Sequence, residues 1–325
     1  MISAFILPMV KSKTTMFRLS LSAIALVLLS LLVMAYGVIV EGSYIANIGH
    51  FEAPYGITFK IGPVESVIAI LFAFVTAMVV WYASFGVEKW ILPNRVNLYL
   101  TLIHLLLASL LGIVYTDDLF NSFVFIEVST LAGCGIIAIK DKAANIKSSL
   151  KYLILSSLGS GLILMGIAYL YTITGHLNME AIHETLLMKI GGHEKAILVS
   201  LTMFTIGLGI KSAMFPLHVW LPDAYVSAPG PSSAMLSGIV GKAPALLLFK
   251  ILFFVYGIEI LKDTVVLDLL LFFGAAGMIA GSLMARVQKD IKRLVAYSSV
   301  SQMGYIFFGF GIGSSMGLTI ALYHI

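Results

Sequence analysis

Charged residues are scarce in this sequence. Lys, Arg, Asp and Glu make up 11% of its 325 residues, against roughly 25% in an average soluble domain. Hydrophobic residues reach 60%, and the mean hydropathy is +1.02. A chain of this composition is too apolar for an ordinary soluble domain, so we expect a polytopic membrane protein of the all-α class.

Cysteine and cofactor-binding motifs are also scarce. Cys134 is the single cysteine, so the chain forms no internal disulfide. Cysteine content therefore does not indicate whether the protein faces an oxidising or a reducing compartment. The sequence holds no flavin, haem, iron–sulfur or nucleotide motif, so we expect no cofactor. The net charge of +4 is small for the length and gives no reason to expect nucleic acid binding.

Long apolar runs predict the membrane-spanning helices, because about 20 apolar residues are needed to cross the hydrocarbon core. About nine runs qualify, and a tenth begins near Ser314 and is cut off at Ile325. The predicted spans are 17–40, 63–86, 96–115, 118–139, 148–173, 195–220, 231–256, 264–285 and 292–311. No linker or soluble domain interrupts them, so the predicted fold is a transmembrane helix bundle.

Basic residues are concentrated in alternate loops. They precede the first span and follow the second, fourth and eighth spans, whereas the other loops are mainly acidic. The basic residues are Lys11, Lys13, Arg18, Lys89, Arg95, Lys140, Lys142, Lys147, Lys151, Arg286, Lys289, Lys292 and Arg293. The positive-inside rule then predicts a multi-pass protein of the cell membrane, with its N-terminus and Asp223 on the cytoplasmic side.

Few ionisable residues remain within the predicted spans. They are Glu127, Lys211, Lys242, His104, His218 and His324. A Lys or Asp near the centre of a membrane helix costs about 2.5–3.5 kcal/mol on insertion scales. Each such residue is therefore a candidate for an ion pathway, to be weighed against simple packing.

The stretch KSAMFPLHVWLPDAYVSAPGPSS, residues 211–233, combines charges with four prolines between two long apolar runs. Lys211 lies too deep for its side chain to reach the headgroup layer. Pro216 predicts a helix break that frees a carbonyl near Ser212 or Ala213. His218 would return to the Lys211 face of an unbroken helix. Broken backbone at membrane depth is typical of a wet or protein-lined pathway.

Glu127 and Lys242 extend this pattern to neighbouring spans. Glu127 lies about ten residues into its span and is either a neutral packing carboxyl or a proton or cation site. Lys242 follows Gly238 and Gly241 and precedes Pro244, which predicts another deformed helix. One acid and two lysines spread over three spans predict a proton path.

Other polar residues carry weaker signals. His104 has no charged companion, so packing is favoured. His176, His183 and His193 lie in a predicted external loop without a recurring spacing, so no metal site is expected. The helix 292–311 carries Ser298, Ser299, Ser301 and Gln302, which serve either interhelical hydrogen bonds or a wet pathway.

KSAMFPLHVWLPDAYVSAPGPSSAMLSGIVGK, followed by QKDIKRLVAYSSVSQMGY, closely resembles the antiporter-like subunits of respiratory complex I, energy-converting membrane-bound hydrogenases and multisubunit cation/proton antiporters of the Mrp type. The resemblance extends more weakly over nearly the whole chain, including APYGITF at residues 53–59. It implies two inverted five-helix repeats, each with one broken helix, and a charged axis at mid-membrane.

The resemblance also implies roles for individual residues. Glu127 matches the acid of the family, Lys211 the broken-helix lysine that pairs with it, and Lys242 the central lysine. His218 matches the histidine after the break, and His324 a histidine of the second repeat; Ser298 and Gln302 are secondary candidates beside them. The implied function is proton translocation, with sodium exchange open, in a multisubunit respiratory, hydrogenase or antiporter complex whose partners are other membrane subunits and the lipid bilayer.

The same resemblance divides the chain. It implies N-terminal helices over 1–115, a first repeat over 116–262 led by the helix at about 96–115, and the start of an incomplete second repeat over 263–325. Tyr225 stands where the family often has histidine, and Pro244 is unusual after the central lysine. Two alternatives stay open: a non-conducting structural, split or truncated subunit, and a self-contained secondary transporter.

Overall fold

The structure, a computed structural model, describes residues 1–54, 56–189 and 192–325. Tyr55 of the APYGITF stretch lies outside the described residues. The helices are α1 (Ile2–Ile6), α2 (Lys13–Glu41), α3 (Pro63–Ser84), α4 (Val96–Tyr115), α5 (Leu119–Ala138), α6 (Ala143–Thr174), α7 (Met179–Lys189), α8 (Glu194–Lys211), α9 (Leu221–Ser227), α10 (Gly230–Met235), α11 (Lys242–Lys250), α12 (Gly257–Lys262), α13 (Val266–Arg286), α14 (Ile291–Ile312) and α15 (Ser315–His324). Strands β1 (Tyr44–Asn47) and β2 (Thr58–Ile61) pair as an antiparallel hairpin.

Within the described residues, seven helices are long and apolar enough to cross a membrane. Five of them are the helices α2, α3, α5, α6 and α13. The other two are Pro93–Tyr115, which contains α4, and the continuous stretch Gly230–Lys262, which runs from α10 to α12. The prediction of an all-α polytopic bundle is therefore confirmed. Helices α8 and α14 occupy two further predicted spans but are not among the seven, because α8 is short with charged ends and α14 carries a polar first half.

One local prediction was wrong, and two short elements were not predicted. The helix predicted over 195–220 ends at Lys211, since the chain cannot continue a regular helix into Pro216. The loop that carries His176, His183 and His193 contains α7, which was not predicted because its short polar sequence gives no membrane-span signal. The hairpin of β1 and β2 was not predicted, because its strands are only four residues long.

Hydrogen bonds gather the loops at two ends of the bundle. At the basic end, formed by loops 86–95, 139–142 and 287–290 with the segment 223–233, Lys140 and Lys292 both donate to the Ala228 carbonyl, at 3.0 and 2.7 Å. At the acidic end, formed by loops 42–62, 116–118 and 175–179, the Asp117 amide donates to Thr58 and its carbonyl accepts from Met179, at 3.0 and 2.9 Å. Basic and acidic loops therefore lie at opposite ends.

The buried fraction of each span shows where the core lies. The stretch Gly230–Lys262 is 78% buried and the span ending at Tyr115 is 67% buried, whereas α2 is only 17% buried. The first two are thus central, and α2 lies at the periphery with its apolar side chains exposed. The candidate residues Lys211, Lys242 and Glu127 lie on helices that pack around this centre.

Candidate functional site

The break after α8 defines the centre of the site. Lys211 is the last residue of α8, and the chain then turns through Ser212 to Trp220, with Ala213 in the left-handed region at φ 57°. The indole nitrogen of Trp220 donates to the carbonyl oxygen of Ile210 at 2.9 Å. The same Ile210 carbonyl also accepts from the Ala213 amide at 3.2 Å, so Trp220 adds a second hydrogen bond to the last turn of α8 from beyond the break. The free carbonyl predicted near Ser212 or Ala213 stays a prediction.

Lys211 and Glu127 lie together across the interface between α8 and α5. The Lys211 amine is 3.4 Å from Glu127 Oε1 and donates to Thr130 Oγ1 at 2.7 Å. The Ser160 hydroxyl of α6 donates to the same Glu127 oxygen. The lysine side chain is 4% exposed and the glutamate side chain 33% exposed. A buried ammonium is therefore held by one carboxylate and one hydroxyl, and the carboxylate itself is partly accessible.

Small residues allow the three helices to meet at this pair. A Cβ atom on Gly159 of α6 would lie 2.8 Å from the Gly207 carbonyl of α8, so only glycine permits this backbone contact. Because Ser160 follows Gly159 and Lys211 lies one helical turn after Gly207, the contact brings both polar side chains to Glu127. The glycines thus set the distance across which the ion pair forms.

His218 lies apart from this pair. Its ring stacks on Phe215 with the centroids 5.4 Å apart and meets the edge of Tyr297 at 6.1 Å. Its Nδ1 atom is buried and has no hydrogen-bond partner within the described residues. The prediction that His218 shares a face with Lys211 was wrong, because the helix ends before it.

A small cavity lies on the other side of the break, next to Lys242. Its volume is about 90 Å³. The lining residues are Ser212, Ala213, Leu221, Tyr225, Ser237, Gly241, Lys242, Ser299, Gln302 and Met303. At roughly 30 Å³ per water molecule this is room for about three waters. The cavity therefore reaches from the residues that follow Lys211 to Lys242.

The deformation predicted before Lys242 is confirmed. Residues Leu236–Val240 form a π-helical segment, and α11 begins at Lys242. The Lys242 amine donates to the carbonyl oxygens of His324 and Ile325, at 3.5 and 3.4 Å. The His324 ring nitrogen Nε2 hydrogen-bonds Gln302 Oε1 at 2.6 Å. Lys242, Gln302 and His324 are thus brought together, whereas Ser298 does not line the cavity and its neighbour Ser299 does.

Two of the remaining histidine candidates, His104 and His183, have ordinary partners. Both ring nitrogens of His104 hydrogen-bond serine hydroxyls, Ser3 at 2.8 Å and Ser20 at 2.7 Å, as the packing interpretation predicted. His183 hydrogen-bonds the Val255 carbonyl at 3.0 Å. Over residues 1–54, 56–189 and 192–325, no group of three or more His, Cys, Asp or Glu side chains is arranged to hold a metal ion.

A second buried ion pair was missed by sequence reasoning. The Lys250 amine lies 3.4 Å from Glu65 Oε1, and the two side chains are 4% and 11% exposed. Lys250 lies within the apolar run LLLFKILFF. A lysine in such a run is the same signal that singled out Lys242, and it would have found this pair.

Burial shifts the pKa of several groups outside the spans, among them Asp117 and its neighbour Asp118, whose pKa is also raised, and Lys140. Burial raises the pKa of the Asp117 carboxyl at the acidic end, although the charges of Lys60 and Lys250 oppose the shift. At the basic end burial lowers the pKa of Lys140 to about 8, and the charge of Lys292 acts in the same direction. Asp117 and Lys140 exchange protons more readily near neutral pH than ordinary side chains of their type.

Residues 116–325 match the family described as NADH:quinone oxidoreductase/Mrp antiporter, transmembrane. The chain is 37% identical over 273 residues to an NADH-quinone oxidoreductase subunit of Desulforudis audaxviator, covering 84% of this chain and 53% of that protein. It is 28% identical over 331 residues to an Na(+)/H(+) antiporter subunit of Alkalihalophilus pseudofirmus, covering all of this chain and 64% of that protein.

A solved structure has the same fold. A chain of the membrane-bound sulfane sulfur reductase, an archaeal respiratory membrane complex, superposes with a TM-score of 0.82 at 29% identity, covering 99% of this chain and 66% of that one. The present chain thus spans between about half and two thirds of the length of these proteins.

Proposed function

Because the chain belongs to the NADH:quinone oxidoreductase/Mrp antiporter transmembrane family, we propose that it carries protons across the membrane as one subunit of a multisubunit complex. The observation that carries the proposal is the buried Lys211 amine at the end of a broken helix, 3.4 Å from Glu127. Burying two opposite charges costs several kcal/mol per ion before their attraction is counted. A packing role would be filled at lower cost by apolar side chains.

Glu127 and Lys211 act as a switchable pair. When they are close, the carboxylate keeps the proton on the lysine; when they separate, the lysine loses that stabilisation in a dry surrounding. The proton then leaves the Lys211 amine through water in the cavity beside Ser212 and reaches Lys242. The Gln302–His324 pair, 2.6 Å apart, continues the route toward the second repeat.

His218 is an auxiliary candidate in this transfer. Its ring packs between Phe215 and Tyr297, and its buried Nδ1 has no partner among the described residues, so this nitrogen is open to a water molecule beside the break. Ser298 is replaced in the route by Ser299, which lines the cavity. Glu127, Lys211, Lys242, Gln302 and His324 remain the residues to which we assign translocation.

The wider setting is part of the proposal. The partners are other membrane subunits and lipid, and any redox reaction belongs to those subunits, because this sequence carries no motif for a redox cofactor. The basic end faces the cytoplasm by the positive-inside rule. Exchange of sodium for protons is the variant suggested by the relative named as an Na(+)/H(+) antiporter subunit. In this proposal the chain consists of N-terminal helices over 1–115, a first repeat over 116–262 and the start of a second repeat over 263–325.

The test replaces the pair in the assembled complex. We expect Lys211→Ala and Glu127→Gln to abolish proton flux while the amount of assembled complex stays unchanged. Flux is measured in proteoliposomes with an internal pH dye under a potassium diffusion potential. Lys195→Ala is the matched control, since Lys195 lies exposed at the other end of α8, and it should conduct as the wild type does.

Near-normal flux through both variants would reject the proposal in favour of a structural, non-conducting subunit. Flux through the purified chain without partners would instead favour a self-contained transporter. The two alternatives are thus separated by the same assay, run once with the complex and once with the isolated chain.

A further inference from the structure

Lys250 is a second lysine buried at the other end of the helix that begins with Lys242. Lys250 as a whole is 3% exposed, and its amine lies 3.4 Å from Glu65 Oε1 on α3. The amine also donates to the carbonyl oxygens of Val114 and Thr116, where α4 ends. The pair therefore lies toward the acidic end of the bundle.

Asp117 connects this pair to the surface of the acidic end. Its carboxylate is 8% exposed and accepts a hydrogen bond from Asn178 Nδ2 at 3.3 Å. It also lines an open cavity of about 230 Å³, the vestibule, whose ionisable lining residues are Lys60, Asp117, Glu180 and His183. At roughly 30 Å³ per water molecule the vestibule has room for several waters.

Two buried hydroxyl groups next to Glu65 have hydrogen-bonding capacity that a water molecule can fill. Ser66 is 3% exposed and Tyr115 is 8% exposed. Over the described part of the chain, neither hydroxyl makes a hydrogen bond of ordinary distance and angle, although the two lie close enough to interact with each other. Buried hydroxyls without a protein partner are places where ordered water is expected. The pair of Glu65 and Lys250 thus has both a charged neighbour at the vestibule and unfilled hydrogen-bonding positions inside.

The helix between the two lysines is bounded by irregular segments at both ends. Helix α11 begins at Lys242 and ends at Lys250, so the two residues are about 12 Å apart along its axis. It lies between two π-helical segments, Leu236–Val240 and Ile251–Tyr256. Such segments occur frequently at functional sites. His183 of the vestibule hydrogen-bonds the Val255 carbonyl in the second segment, at 3.0 Å.

We propose that Glu65, Lys250 and Asp117, the Lys250 cluster, form a proton-exchange site that joins the interior of this chain to the aqueous phase at the acidic end. The inference rests on the proposed function, because it supplies the outer connection of that proton path. It needs no metal or cofactor, and its ligand is the proton carried by water.

The proton passes from Lys250 to the water of the vestibule in two steps. An N–H bond of the Lys250 ammonium breaks and an O–H bond forms at the Asp117 carboxylate, through a water between them. The Asp117 O–H bond then breaks to a water molecule of the vestibule, which restores the carboxylate. The neutral Lys250 amine takes its next proton from the interior, while Glu65 stabilises the recharged form. Burial raises the pKa of Asp117, which makes it a better acceptor than an exposed carboxylate.

Lys250→Arg separates this role from a structural ion pair. A guanidinium keeps the positive charge beside Glu65 but does not release a proton near neutral pH. In the assembled complex we expect Lys250→Arg to lower proton flux at least tenfold. Wild-type flux in this variant would overturn the proposal, since it would mean that only the charge is needed.

Asp117→Asn provides the second, gentler variant. The amide keeps the contact with Asn178 but cannot take up a proton, so flux should again fall at least tenfold. Asp118→Asn is the matched control, because Asp118 is equally buried but caps α5 by accepting from the Asn121 amide at 2.7 Å. Asparagine caps helices as well as aspartate does, so Asp118→Asn should conduct normally. If Lys250→Arg does not assemble, Asp117→Asn decides: normal flux rejects the site, and selective loss supports it.

The two proposals fail in different ways. If Lys211→Ala and Glu127→Gln block flux but Lys250→Arg and Asp117→Asn do not, only the Lys250 cluster is rejected. If Lys211→Ala and Glu127→Gln conduct normally, the proposed function fails whatever the cluster variants do.

Discussion

The charged side chain of Lys211 lies at a depth where a membrane protein normally carries apolar side chains, and its neighbours supply polar contacts. Lys211 has two oxygen partners, Glu127 at 3.4 Å and Thr130 at 2.7 Å. The hydroxyl is the shorter contact. In the proposed switch, Glu127 is therefore the partner that moves away and Thr130 the partner that stays with the ammonium.

This arrangement predicts the effect of Thr130→Val. The valine has nearly the same shape but accepts no hydrogen bond, and a hydrogen bond to a charged group is worth about 1.5–3 kcal/mol. We expect proton flux to fall roughly tenfold or more, since about 1.4 kcal/mol corresponds to a factor of ten. Thr130→Ser keeps the hydroxyl and should retain most of the flux. Equal flux in the two variants would mean that Thr130 contributes only its volume.

At the scale of elements, the site depends on how closely α6 and α8 approach. The contact is made by Gly159 and Gly207, whose backbones leave no room for a Cβ atom. Helix packing in membranes relies on such small residues. The ion pair is therefore a property of helix spacing as much as of the charged residues themselves.

Gly159→Ala tests this dependence. The added methyl group would lie 2.8 Å from the Gly207 carbonyl, so the helices must separate. We expect overpacking to cost about 1–3 kcal/mol, seen as a lower thermal midpoint in detergent, together with reduced proton flux. Gly161→Ala on the same helix is the control, because no atom of the described residues lies within 4 Å of its Cβ position. A similar loss in both variants would point to backbone propensity rather than helix spacing.

For the whole molecule, the charges of the loops separate to opposite ends. The loops that carry most lysines and arginines meet around Ala228, and the acidic loops meet around Asp117. This segregation is what sets orientation in the membrane. It also gives the candidate path two chemically distinct mouths, a basic one near Asp223 and an acidic one at the vestibule.

Cysteine labelling checks the orientation. The single native cysteine is first replaced by Cys134→Ser, and Lys142→Cys, Lys289→Cys or Glu180→Cys is then introduced; all three positions are exposed. In intact cells a membrane-impermeant thiol reagent should label only Glu180→Cys. In inverted vesicles it should label the other two. The opposite pattern would reverse the orientation and with it the direction assigned to the vestibule.

Much of the fold followed from local signals. The apolar runs predicted the helices that cross the membrane, and the prolines and glycines around Lys211 and Lys242 predicted deformed helices at both. The end of α8 at Lys211 was misplaced, because Pro216 restricts the preceding turn and Trp220 then stabilises an earlier stop. The face of His218 was wrong for the same reason, since periodicity cannot be carried across a break.

The sequence by itself determined which charges lie in apolar surroundings and which loops are basic, because composition and hydropathy are properties of the chain alone. The resemblance implied that Glu127 pairs with Lys211, and the tertiary structure gave the geometry of that pair. Only the tertiary structure decided the partners Gln302 with His324 and Glu65 with Lys250. Each of these pairs joins residues that are far apart along the chain. Their meeting depends on helix spacing, which is set by packing between elements and cannot be read from any one of them.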